Sequence, residues 1–200
     1  MISVLKLPFS FDADALKSDA GRFTSDEWTA HFNVHNYEGD WSGIALRAAG
    51  NARVALYPDP TADSYVDTEN LARCSYVPTV LQTFDCNLES VRFLRLGPGS
   101  RIREHRDYDL SFEDGLARIH IPVATNNDVE FFLAGQRQNM HPGEAWYLNF
   151  NLNHNVENKS SQDRIHLVID CVVNDWLRRF FPADSERSDH PIAADLQQKQ

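Results

Sequence analysis

Cysteine is scarce: three residues in a chain of 200, Cys74, Cys86 and Cys171, set too far apart for a zinc-ligating pattern or a disulfide framework. No Gly-x-Ser-x-Gly elbow occurs, which argues against a Ser-His-Asp hydrolase of that type. No apolar run approaches the roughly 20 residues needed to span a bilayer, and no signal peptide is evident. Basic residues are outnumbered, 19 against 29 acidic ones, and the net charge of −10 speaks against nucleic acid or an anionic membrane as partner. Repeats and low-complexity linkers are also missing. Together these absences predict a protein of a reducing cytoplasm, and any anionic ligand has to be held by local arginines working against the global field.

What remains is an ordinary globular composition, 42% hydrophobic and 24% charged, long enough for a sizeable core. The chain reads as one domain over residues 1–182, with a mixed α/β lead-in at 1–89 and a β-rich core at 90–173. A polar, mobile tail is expected at 183–200. In the lead-in, "DADALKSDAGRF" predicts a short helix capped by Asp12 or Asp14, and "VPTVLQTF" another helical turn or two. In the core, "VRFLRL", "ARIHIPVA", "VEFFLAG", "EAWYLNF" and "RIHLVIDCVV" are strand-like runs separated by turns such as "GPGS", "TNND" and "HPGE". Short strands at this spacing predict a mainly β sandwich or barrel. "NDWLRRFF" closes the core as a helix.

The eight histidines sort by position. His31, His35 and His190 lie in polar stretches and are expected at the surface, and His141 in the "HPGE" turn. The other four fall among the strands. In "REHRDYDL", His105 and Asp107 stand at i and i+2, so an extended backbone points both to the same face. With a third ligand from a neighbouring strand, the pair would form a 2-His-1-carboxylate triad for Fe(II); His154, after "WYLNFNLN", is the candidate. Arg164 lies ten positions further on and opens the apolar strand "RIHLVIDCVV", whose alternation places Arg164, His166, Val168 and Asp170 on one face. Arg118 and His120 repeat the Arg-x-His pattern in "ARIHIPV". Two such strands predict a cationic interior beside the metal, suited to a dicarboxylate ligand. The bland alternative places both polar faces in solvent and Ile, Leu and Val inside.

The block "PGSRIREHRDYD…ARIHIPVATNN…HPGEAWYLNFNLNHNVENKSSQDRIHLVIDCV" resembles the aspartyl/asparaginyl β-hydroxylase family of Fe(II)- and 2-oxoglutarate-dependent oxygenases. The likeness is greatest to the bacterial branch of free-amino-acid hydroxylases such as proline cis-4-hydroxylase. It implies a double-stranded β-helix (jelly roll) with a few flanking helices. It further implies His105, Asp107 and His154 as iron ligands and Arg164 as the holder of the far carboxylate of 2-oxoglutarate. Arg118 and His120 would lie by the cosubstrate and substrate, with His166 and Trp146 as further catalytic or substrate candidates. The implied activity uses O2 and 2-oxoglutarate to hydroxylate an unactivated C–H bond of a small amino-acid-like substrate, releasing succinate and CO2. Asp107 distinguishes the chain from the membrane-anchored animal enzyme, which lacks that carboxylate, and from iron halogenases. The alternatives are hydroxylation of Asp or Asn in a peptide, a carrier-bound substrate, or a cupin-like metal-binding protein without oxygenase activity. Substrate contacts are expected in "HNYEGDWSGIALRAAG", with no residue assigned.

Overall fold

The strand-like runs pair into two antiparallel sheets in the computed structural model, which describes residues 1–52, 54–56, 62 and 64–182. In chain order the described strands are β1 (Val4–Ser10), β2 (Thr29–Ala30), β3 (Tyr37–Glu38), β4 (Trp41–Ala49), β5 (Tyr65–Asp67), β6 (Leu88–Leu96) and β7 (Arg101–His105). They continue with β8 (Leu116–Ala124), β9 (Val129–Leu133), β10 (Gln136–Arg137), β11 (Glu144–Leu148), β12 (His154–Asn158) and β13 (Arg164–Val172). The larger sheet has the order β1-β11-β8-β13-β6-β4-β2, with β5 paired to β4; the smaller is β10-β9-β12-β7-β3. This is the jelly roll expected from the sequence. The lead-in is not a separate layer: β1 pairs with β11 and β4 with β6, so residues before position 89 complete the larger sheet. His190 and the tail expected at 183–200 lie outside the described residues, as does part of "RVALYPDP".

Each long strand of the larger sheet has two buried faces, and alternation separates them. Val91, Phe93, Ile119, Ile121, Leu167, Ile169 and Cys171 form one face, packed beneath the helices α1 (Ala13–Ala20), α2 (Glu69–Ala72), α3 (Val77–Leu81) and α4 (Asp175–Arg178) through Leu16, Leu71, Val77, Val80 and Leu177. Asp12 caps α1, its carboxylate accepting from the Asp14 and Ala15 amides. Asp19, itself buried, accepts from the amides of Ser75, Tyr76 and Val77 and so ties α1 to the start of α3. The opposite face looks toward the smaller sheet. There Trp41, Leu96, Ile102, Phe131, Leu133, Phe150 and Val156 form a second apolar cluster that fills part of the space between the sheets. The rest of that space is a cavity of ≈ 580 Å³.

The "HPGE" turn shows why its glycine is needed. Gly143 has φ 82°, in the left-handed region, and a Cβ there would overlap the Phe11 carbonyl oxygen. Its own carbonyl accepts from Phe11 N, and its amide donates to Pro122 O, fastening the lead-in to β8. No helix of the described residues is long and apolar enough to cross a membrane.

Candidate active site

β7 and β12 run antiparallel with His105 opposite His154, and Asp107 follows two residues beyond the end of β7. The asparagine-rich turn before β12 holds Asp107 in place: the Asp107 amide donates to Phe150 O at 2.9 Å, and Asn151 accepts from the Leu110 amide at 3.0 Å. One ligand atom from each of His105, Asp107 and His154 lies within 4.8 Å of the other two. His105 Nδ1 meets the Arg103 carbonyl at 2.8 Å and His154 Nδ1 the Leu152 carbonyl at 3.0 Å. A carbonyl only accepts, so Nδ1 is the donor in both rings and Nε2 is the nitrogen available to a metal. Burial pushes the His154 imidazolium down to about 4, so the ring is the neutral ligand form at physiological pH. Donor types, tautomers and spacing thus fit a divalent first-row ion.

Asp107 is oriented by Arg118, whose Nη1 donates to Oδ2 at 3.0 Å while Oδ1 faces His105 Nε2 at 3.7 Å. The other donors of Arg118 are engaged as well. Nε and Nη2 fork onto the two oxygens of Asp170 at 2.7 and 3.0 Å. Arg92 Nη1 reaches Asp170 Oδ2 at 3.0 Å and Ser90 Oγ at 2.5 Å. Burial alone would raise the Asp170 carboxyl, yet the two arginines hold it well below the usual carboxylate range. Burial opposes the Arg118 charge too, but Asp170 carries its pKa above the ordinary arginine value.

Arg164 is different. It is 3% exposed and forms no ion pair with any described carboxylate. Its Nε has no hydrogen-bond partner, and Nη2 donates only to His166 Nδ1 at 3.0 Å. Burial pulls its pKa down to about 9. His120 Nδ1 lies 3.2 Å from the same His166 nitrogen, and His120 Nε2 is buried without a partner. Because arginine only donates, His166 Nδ1 accepts and His120 Nδ1 donates, so His120 Nε2 carries a lone pair. Burial, reinforced by the nearby Arg164 charge, keeps both rings neutral. Phe131 and Phe150 stack beside His120 and complete an apolar wall.

The cavity brings together His105, Asp107, His154, Arg118, His120 and Arg164. The polar faces of β8 and β13 are therefore buried toward the smaller sheet, and the solvent-facing alternative fails. The second Arg-x-His histidine, His166, lies behind His120 and Arg164 and does not line the cavity. Trp146, opposite His120 on β11, does not line it either; its indole donates to Glu144 at 3.0 Å. Arg118, which the resemblance places by the cosubstrate and substrate, lines the cavity with its donors engaged by Asp170 and Asp107.

Residues that sequence reasoning passed over also line the site. Arg92 is 5% exposed, and an arginine inside the apolar run "VRFLRL" carries the same signal that singled out Arg164. His31, expected at the surface, stacks on Trp41 with ring centroids 3.5 Å apart, and burial next to Arg92 lowers its pKa to about 3. Its neighbours, Ala30 and Phe32, gave no hint of this packing. Trp41 and His31 bring the lead-in to the cavity, Trp41 from within the segment where substrate contacts were expected.

Comparison with known proteins follows the same lines. A family model described as aspartyl/asparaginyl beta-hydroxylase matches residues 11–173. An L-proline cis-4-hydroxylase of Rhizobium meliloti (strain 1021) is 30% identical over 97 residues, 48% of this chain, and the match spans only 34% of that relative's length. Among solved structures, a 2OG-Fe(II) oxygenase family oxidoreductase from Burkholderia pseudomallei superposes with TM-score 0.58 at 16% identity, covering 85% of both chains. A Pseudomonas putida prolyl-4-hydroxylase gives TM-score 0.52 at 14% identity, over 86% of this chain and 93% of that one. These likenesses show the same fold. The family model covers most of both sheets, with the candidate metal cluster of His105, Asp107 and His154 and with Arg164, and the chain belongs to the aspartyl/asparaginyl β-hydroxylase family.

Proposed function

We propose that the inter-sheet cavity is the active site of an Fe(II)- and 2-oxoglutarate-dependent hydroxylase acting on an unactivated C–H bond of an amino acid or amino-acid derivative. The observation that carries this reading is Arg164, a buried cation without an anion among the described residues, in the same cavity as the His105, Asp107 and His154 triad. An unpaired buried charge is strongly destabilising, so its natural complement is a ligand that brings a carboxylate. A cupin-like metal protein without a cosubstrate gives Arg164 no such role.

Held by His105, Asp107 and His154, Fe(II) supplies dioxygen activation, with 2-oxoglutarate cleaved to succinate and CO2 as the target carbon gains a hydroxyl group. The chain's own residues arrange the reactants. Arg164 presents a planar fork to the far carboxylate of 2-oxoglutarate. His120 lies beside Arg164 in the cavity, its ring oriented by the same His166 nitrogen that Arg164 meets. Arg118 acts at one remove, fixing the oxygen of Asp107 that faces the metal. Phe131 and Phe150 keep water from the cosubstrate end.

The cavity's ≈ 580 Å³ is the size of small-molecule sites rather than of an extended peptide groove. The similarity to a hydroxylase of free proline also favours an amino acid over a peptide. The test is a 2-oxoglutarate turnover screen on the iron-loaded protein against free amino acids, N-acylated forms and short peptides. Succinate formation stimulated by an amino acid or its derivative, with a product heavier by one oxygen atom, is the expected result. Stimulation by peptides alone, or by nothing, contradicts it.

A further inference from the structure

Glu89 reaches the cavity because β6 is bulged. Val91 sits opposite Ile169 and Leu88 opposite Cys171, three steps on β6 against two on β13. The extra residue breaks the alternation, so Glu89 and Ser90, adjacent in sequence, both line the cavity. Neighbouring cations are committed elsewhere. Arg92 bonds Ser90 and Asp170 through Nη1, and Arg47 holds Asp67 and the carbonyls of Tyr65 and Leu88. No described lysine, arginine or histidine forms an ion pair with Glu89. Burial and then the nearby Asp170 charge raise its carboxyl pKa, opposed by a hydrogen bond from the Tyr65 side chain, so Glu89 has a neutral partner but no cation among the described residues.

The position is also right for a second ligand. Arg164 pairs with Leu96 at one end of β13, while Asp170 and Cys171 approach Glu89 at the other. Six steps along the strand separate Arg164 from Asp170, roughly 20 Å of backbone at about 3.3 Å each. A dicarboxylate at the Arg164 end leaves the Glu89 end of the same cavity for another small molecule.

We propose that Glu89 receives the cationic nitrogen of the substrate and thereby selects amino acids with a free ammonium group over N-acylated ones. This rests on the reading of the cavity as an amino-acid hydroxylase site and adds the specificity determinant. A half-buried carboxylate with no described cation on it is complementary to an ammonium and hostile to a substrate carboxylate, so it also sets which end of the amino acid faces β6.

The zinc-loaded protein and its Glu89→Gln and Glu89→Asp variants can be titrated calorimetrically with L-proline, L-leucine and L-lysine and with their N-acetyl forms. Each titration is made with and without 2-oxoglutarate. The wild type is expected to bind at least one free amino acid about tenfold or more tightly than its N-acetyl form, the scale of one charge-assisted hydrogen bond. Glu89→Gln should erase that preference, Glu89→Asp should retain part of it, and the affinity for 2-oxoglutarate should stay unchanged in both. A wild type without the preference, or a Glu89→Gln variant that keeps it, overturns the proposal. Failure of the wild type to bind 2-oxoglutarate strikes instead at the cosubstrate reading, because the amino-acid titrations without it still report on Glu89.

Discussion

Arg118 and Arg164 stand on adjacent strands of one sheet, both turned toward the same cavity and both largely buried, yet their surroundings are opposite. Arg118 has Asp170 and Asp107 on its donors; Arg164 has a neutral imidazole on one nitrogen and nothing on another. The first arrangement is complete without any ligand. The second leaves a buried cation with no described carboxylate on it. A sequence shows two arginines in two similar strands, and only the location of the carboxylates tells a structural ion pair from a receptor.

The largest expected effect comes from removing the shared counter-ion at the completed end. Asp170→Asn leaves Arg92 and Arg118 buried with one carboxylate fewer, and should cost about 3–5 kcal/mol in denaturant unfolding of the ligand-free protein. The pH dependence has a definite sign. The folded-state pKa of Asp170 is depressed, so its contribution is fully present above the ordinary aspartate value and is lost as pH falls from about 4 downward. The variant should lose less stability over that acid range than the wild type. Equal stability of the two proteins at pH 7 would show that the ion-pair cluster is not structural.

At the other end, Arg164→Met should weaken 2-oxoglutarate binding to the zinc-loaded protein by about 2–5 kcal/mol, the cost of leaving one partner of a buried charge pair alone. Metal binding should survive. Parallel loss of metal and 2-oxoglutarate affinity would make Arg164 a structural residue. A smaller effect is expected for Arg118→Gln, which frees one oxygen of Asp107 and should lower metal affinity about 10- to 100-fold in chelator competition. Unchanged metal affinity with weakened substrate or 2-oxoglutarate binding would restore Arg118 to the ligand-holding role that the sequence suggested. The smallest effect is the sharpest contrast: without ligands, Arg164→Met should be neutral or stabilise by about 1 kcal/mol, since it removes an uncompensated buried cation. Destabilisation as large as that of Asp170→Asn would mean the two arginines are not different in kind.

The strands were legible because β6, β8, β9, β11 and β13 are rich in β-branched and aromatic residues and are punctuated by turn-forming sequences. The cluster of His105, Asp107 and His154 was foreshadowed by the His-x-Asp spacing, although Asp107 lies just beyond β7, and Arg164, His166 and Asp170 fall on one face of β13 by alternation. Period alone cannot say which face of a doubly buried strand meets the cavity. Both faces of β6 are buried, so Arg92 went unnoticed, and its bulge broke the alternation at Glu89 and Ser90. Trp146 obeys the pattern, but its indole turns to Glu144 and it does not line the cavity. His31 depends on a tertiary stack against Trp41 that its neighbours in sequence do not encode.

The most direct test of the contrast between the two arginines is a crystal structure of the protein grown anaerobically with Mn(II) and 2-oxoglutarate. The account predicts the ion on His105, Asp107 and His154, the far carboxylate of 2-oxoglutarate on Arg164, and Arg118 still forked on Asp170. A carboxylate bound by Arg118 with Arg164 left unpaired would contradict it.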